Sequence, residues 1–107
     1  MTEPRESEIQ KDILKYLNAQ PATFAFKVST TGVPDAARRG GFRTNPNAGV
    51  ADIIGCKDGK FFAFEVKRPG GQLTDRQREF LEAVYINGGY EAVVRSVEDA
   101  QQAWVEI

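Results

Sequence analysis

Asp52, Glu65 and Lys67 are the residues of this chain whose types and spacing could do chemistry together. Glu65 and Lys67 lie in the stretch FFAFEVKRPGG, from Phe61 to Gly71. Strand side chains alternate, so Phe62, Phe64 and Val66 share one face, and Phe61, Ala63, Glu65 and Lys67 the other. A carboxylate and an ammonium on so apolar a strand are costly to bury unless they are paired or bind something. Asp52 lies upstream, with Asp58-Gly59 between it and Glu65. That dipeptide is a strong hairpin signal. Pairing the strands about it brings Asp52 near the level of Glu65 or Lys67. Two carboxylates with a lysine at one end of a hairpin form a hard-oxygen site suited to Mg²⁺, with Mn²⁺ as a substitute. A lysine beside such a site can orient a water and offset developing negative charge. A structural ion pair is the competing reading, but it leaves Asp52 unbalanced.

The elements that must position these residues can be read from pattern. Residues 6–18 predict a helix, with Ile9, Ile13, Leu14, Tyr16 and Leu17 on one side. ATFAFKVS predicts a strand in which Phe24, Phe26 and Val28 share a face. Residues 29–48, rich in Thr, Gly, Pro, Asn and Arg, read as a long loop. GVADIIGC and then residues 60–67 form the two hairpin strands. Thr74 reads as the cap of a helix over 75–87 that buries Phe80, Leu81, Val84 and Tyr85, and Gly88-Gly89 ends it. YEAVVRS is a fourth strand, and Ser96 caps a last helix bearing Ala100, Ala103 and Trp104. The expectation is an α/β fold, α-β-β-β-α-β-α, with a central mixed sheet flanked by helices. Phe24, Phe26, Phe62 and Phe64 are expected in the core, with Trp104 packed on the sheet.

Gly49-Val50-Ala51-Asp52, then Glu65-Val66-Lys67, then Gln77 in the next helix resembles the PD-(D/E)XK nuclease superfamily. More narrowly, it is similar to the virus-type replication-repair nuclease (VRR-NUC) family. The resemblance runs from ESEIQKDILKYL through GVADIIGC and FFAFEVKRPGGQLTDRQREFL to GGYEAVVRS, nearly the whole chain, read as one nuclease domain over residues 1–107. It implies that Asp52 and Glu65 bind a divalent metal and that Val66 adds its backbone carbonyl. Lys67 would assist the attacking water, which displaces the 3′ oxygen and leaves 5′-phosphate and 3′-hydroxyl ends. The family often has Pro before the Asp, where Ala51 stands here; that residue supplies rigidity and no chemistry. GVPD, Gly32 to Asp35, matches the written motif more closely, but AARRGGFR follows it instead of an apolar strand, so Asp52 is preferred.

Two further polar residues join the candidate site. The first helix is expected to supply another acid. At about 100° per residue, Glu6 and Gln10 fall on the apolar side and Glu8 points away. Glu6 is the candidate for the metal or its water shell, with Gln10 beside it. The alternative leaves Glu6 outside a helix capped by Ser7, with Gln10 closing a capping box. Gln77 falls within the stripe of Phe80, Leu81 and Val84, and the family places a Gln here facing the active site. Its alternative is the capping box with Thr74. The two uses compete for one side chain, and the site is favoured.

Charge distribution bears on the partner. The chain of 107 residues has a net charge of −1, but residues 27–68 hold eight basic and four acidic groups. Such a local field attracts phosphate. Arg38, Arg39, Arg43, Lys57, Lys60 and Arg68, with Lys27, are the candidate DNA contacts, and Phe42 sits among the loop arginines. No base-reading motif is present, so recognition by shape is expected over recognition by sequence. The chain has no histidine, which excludes His-based triads and the usual zinc enzymes. Cys56 is the single cysteine, which fits a reducing cytoplasm, and no apolar run of signal-peptide or membrane length occurs. The resemblance extends to Holliday junction resolvases and to homodimers, in the cytoplasm of a bacterial or phage-infected cell. The expected protein is a metal-dependent endonuclease selective for branched DNA, without a small-molecule cofactor. The alternatives are an unselective nuclease of duplex or single strands and a DNA-binding accessory protein without catalysis.

Overall fold

A computed structural model describes residues 5–28, 33–34, 42–43 and 49–107. The order is α1 (Glu6–Asn18), β1 (Thr23–Lys27), β2 (Val33–Pro34), β3 (Phe42–Arg43), β4 (Ile53–Lys57), β5 (Lys60–Val66), α2 (Asp75–Ile86), β6 (Tyr90–Val94) and α3 (Val97–Glu106). The short strands β2 and β3 pair only with each other. They lie inside the stretch read as loop, so the sequence order α-β-β-β-α-β-α holds with this ribbon as an insertion.

The main sheet runs β1-β4-β5-β6. β1 with β4 and β4 with β5 are antiparallel, and β5 with β6 is parallel, so the sheet is mixed. Asp58 and Gly59 close the β4–β5 hairpin with φ of 50° and 84°. Both lie in the left-handed region, as a type I′ turn requires. The parallel step from β5 to β6 needs a crossover, which α2 provides.

Alternation along the strands sorts the core into two layers. Ile9, Ile13 and Leu17 of α1 pack with Ile53, Phe62, Phe64 and Val66 and with Ala100 and Ala103 of α3. On the other side, Ala63 packs with Ala51 and with Leu81 and Val84 of α2. Trp104 sits against the sheet as expected, its indole N–H donating to the Thr23 hydroxyl at 2.8 Å. Phe62 and Phe64 are fully buried. Phe24 and Phe26 are not core residues: Ala25 is the inward residue of β1, and both rings stand exposed. The alternation is as read, but α2 packs on β5 and β6, and among the described residues no helix packs on that face of β1.

Among the described residues, no helix is long and apolar enough to cross a membrane.

Candidate active site

The β4–β5 register pairs Ile53 with Phe64, so Asp52, one residue before β4, stands level with Glu65. The main chain there continues the sheet, because Val28 N–H donates to the Asp52 carbonyl at 2.8 Å. Residues opposite each other in an antiparallel pair point to the same face, which brings the two carboxylates together. Gly49 permits the approach: its φ is 93°, and a Cβ there would lie 2.7 Å from Cβ of Arg76 on α2. Asp52 Oδ2 accepts a hydrogen bond from Val66 N–H at 2.9 Å. The aspartate thus holds the backbone between Glu65 and Lys67.

Glu65 is 1% exposed. Its Oε1 accepts from Gln77 Nε2 at 3.0 Å and has Lys67 Nζ at 4.0 Å. Its Oε2 is buried and accepts no hydrogen bond. Burial first, then a hydrogen bond from the protonated carboxyl to Asp52 and the charge of Asp52, push Glu65 up to about 9, with Lys67 opposing and Glu6 adding slightly. Two carboxylates side by side disfavour a second charge, so the pair holds a proton unless a cation replaces it.

Gln77 makes both of the contacts that the sequence set against each other. Thr74 Oγ1 accepts from Gln77 N–H at 3.2 Å, and Gln77 Oε1 accepts from Thr74 N–H at 2.9 Å, closing the capping box. The amide nitrogen at the other end of the side chain is left to reach Glu65. The competition expected from the sequence is absent because an amide has two ends of opposite character.

α1 starts at Glu6, and Arg5, its N-cap, makes no side-chain cap bond, so the capping alternative through Ser7 does not form. Glu6 is half-buried and near enough for its charge to be felt at Glu65. Gln10 is buried with Oε1 unpartnered. Among the described residues, no three side chains of His, Cys, Asp or Glu converge as a metal cluster. Asp52 and Glu65 stand as a pair of carboxylates, with Glu6 farther from them.

Arg95 completes the surroundings of Lys67. Val66 pairs with Val94 across the parallel β5–β6 step, and Lys67 N–H donates to the Val94 carbonyl at 3.0 Å. Arg95 Nη1 donates to the carbonyls of Arg68 at 2.7 Å and Gly71 at 3.0 Å. Sequence reasoning missed this clamp; the available signal was an arginine just after the strand that neighbours β5.

No family model matches the chain, and no curated protein does. Among solved structures, it is similar to a VRR_NUC domain protein, with a TM-score of 0.66 and 18% identity over 97% of this chain and 88% of that one. The fold is that of a VRR-NUC domain.

Within this VRR-NUC fold the candidate DNA contacts are scattered. Arg38 and Arg39 lie outside the described residues, as does Asp35. Arg43 is placed in β3 by its backbone pairing with Val33. Lys57 and Lys60 pair at the turn, the opposite end of the hairpin from Asp52. Lys57 is engaged there: Nζ donates to the Trp104 carbonyl at 2.7 Å and lies 3.8 Å from the centre of the Trp104 ring. Lys27 is exposed at the level of Ile53, and Arg68 follows Lys67 directly.

The chemistry of this donor set suits a hard divalent cation. The donors are oxygens, and once the carboxyl ionises Glu65 Oε2 is a buried acceptor with no hydrogen-bond donor among the described residues. A cation there would offset the burial and the Asp52 charge that hold the Glu65 proton in place.

Proposed function

We propose that the protein is a divalent-metal-dependent DNA endonuclease that acts on branched DNA as a homodimer. The observation that carries the reading is Glu65: buried, level with Asp52, and with one carboxylate oxygen lacking a donor. A tight structural ion pair would bring Lys67 to hydrogen-bonding distance of the carboxylate. The lysine instead stands 4.0 Å away, with its side chain 14% exposed.

Asp52, Glu65 and the Val66 carbonyl would hold Mg²⁺, or Mn²⁺ in its place, with Glu6 acting through water. When bound, the ion supplies positive charge to the phosphate and lowers the pKa of water. Lys67 orients the attacking water through Nζ and offsets charge gathering on the phosphate oxygens. Water adds to phosphorus, the bond to the 3′ oxygen breaks, and that oxygen takes up a proton. Gln77 holds Oε1 of Glu65, which leaves Oε2 for the ion. Arg38, Arg39, Arg43, Lys60 and Arg68 are proposed contacts to the DNA backbone; Lys57 is committed to Trp104. The preference for branched DNA and the dimer rest on the resemblance of the sequence to junction-cleaving members of the family.

The test uses a labelled four-way junction, a flap and a linear duplex, each with Mg²⁺, Mn²⁺ or EDTA, beside Asp52→Ala. Metal-dependent cutting of junction or flap that the variant loses is the expected result. Equal cutting of every substrate would remove the selectivity. Binding without cutting in any metal would overturn the enzymatic reading.

A further inference from the structure

Among the described residues, no helix lies over the β1 and β4 half of the α2 side of the sheet. There β1 and β4 present Phe24, Phe26, Ile54 and Cys56, and β5 adds Phe61. Phe24, Phe26 and Phe61 are 64%, 47% and 44% exposed. Together the rings offer roughly 300 Å² of aromatic surface, a size at which a patch on a monomer is often functional. A stable interface with a second copy needs about 800 Å² on each partner. The three rings alone fall well short of that area.

The arrangement fits nucleobases. Exposed aromatics on an open sheet face stack unpaired bases, and every base has a π-face to offer. The Phe24 and Phe26 rings have centroids 5.9 Å apart and are tilted by 49°. Bases in a duplex strand rise by about 3.4 Å. Bases taken up by both rings would therefore be separated from each other, as in a single strand. No acidic side chain lies among the β1 and β4 residues of this patch to repel phosphate.

The patch also leads to the site. Phe26 pairs with Ile54, two residues from Asp52, and Asp52 and Glu65 point to the same face. At about 3.3 Å per residue and about 4.8 Å between strands, Phe26 lies roughly 8 Å from Asp52 along the sheet. We propose that Phe24 and Phe26 form a stacking platform for unpaired bases of single-stranded DNA, next to the Asp52–Glu65 pair. This rests on the nuclease reading and narrows its substrate to branches that carry an unpaired strand beside the cleaved bond.

The test is fluorescence anisotropy in EDTA, which separates binding from cleavage. A thymidine oligonucleotide is compared with an abasic strand of the same length and with a duplex. Phe24→Ala and Phe26→Ala should each weaken binding to the thymidine strand by roughly five- to a hundred-fold. Phe26→Tyr should restore it, and duplex binding should not move. Both rings are exposed, so melting temperatures should stay at the wild-type value. Equal affinity of the wild type for the thymidine and abasic strands would overturn the platform. So would Phe26→Leu binding as tightly as wild type, or sedimentation showing that the alanine variants split a dimer. Duplex and flap cleavage in Mg²⁺ is scored alongside. Cleavage by the wild type with unchanged single-strand affinity in the variants would sink the platform and leave the nuclease. Lost affinity without cleavage of any DNA would uphold the platform and sink the nuclease.

Discussion

Gln77 joins the cap of α2 to Glu65. One end of its amide accepts from Thr74 N–H at 2.9 Å, and the other donates to Glu65 Oε1 at 3.0 Å. The helix start and the buried carboxylate are thereby fixed to one another. Two substitutions separate the roles. Gln77→Ala removes both, and should cost about 1 kcal/mol of stability from the lost half of the capping box, since Thr74 still caps through the backbone N–H of residue 77, and about 10- to 100-fold in metal affinity or cleavage. Gln77→Glu retains an acceptor for Thr74 N–H but has no donor for Glu65. It should keep the helix start and still lose cleavage. Chemical denaturation beside a cleavage assay distinguishes them; full activity in Gln77→Glu would show that the Glu65 contact does not matter.

The Glu65 carboxyl gives the metal-free protein a signature with pH. It keeps its proton up to about pH 9 when folded, against 4.5 ordinarily. Between those values the folded state binds more protons than the unfolded chain, so stability falls as pH rises from 4.5 to 9. In EDTA the melting temperature should drop across that window, and Glu65→Gln should flatten the drop. Mg²⁺ competes with the proton for the pair, so it should raise the melting temperature more at about pH 8 than at about pH 5. An equal rise at both would argue against binding at Glu65.

Lys67 and Asp52 should fail in different ways. Lys67→Ala should reduce turnover by about 100-fold or more, while folding and DNA binding persist. Asp52→Ala removes a proposed ligand and the acceptor for Val66 N–H, and should abolish Mg²⁺ binding as well as cleavage. Calorimetric titration with Mg²⁺ separates the two: retained in Lys67→Ala, lost in Asp52→Ala. Asp35→Ala should fall far short of Asp52→Ala in its effect on cleavage. The reverse ranking would move the motif to Asp35.

What could be read from the sequence follows from where the constraint is local. The level of Asp52 against Glu65 was legible because Asp58-Gly59 sets the hairpin register, and the register carries the side chains with it. The α2 cap was legible because Thr74 and Gln77 have the spacing of a capping box. Phe24 and Phe26 were misplaced because alternation says which residues share a face, not whether a helix lies over it. That depends on the path of α2, which sits on β5 and β6. The dual use of Gln77 was missed because sequence reasoning treated its side chain as one group. Arg95 was missed because its partners become neighbours only through the parallel pairing of β5 with β6.

Arg95 carries the last prediction. Its guanidinium holds the carbonyls of Arg68 and Gly71, and its own N–H donates to Asp99 Oδ2 at 2.9 Å. The clamp closes the turn that follows Lys67, where Gly70 has a φ of 83° and Gly71 N–H donates back to the Arg68 carbonyl at 2.9 Å. Lys67 is anchored on its other side by Val94, so Arg95 decides how firmly the chain leaves the strand. Arg95→Ala removes two hydrogen bonds, but the Arg68 carbonyl keeps Gly71 N–H and water can reach the Gly71 carbonyl, so stability should fall by only about 1 kcal/mol. The larger loss should be in the placement of Nζ. Cleavage should drop about tenfold or more in kcat with KM near wild type, since mispositioning acts on the chemical step. Arg95→Lys offers one ammonium in place of a planar fork and should recover only part of the rate. A change confined to KM would assign Arg95 to DNA contact instead.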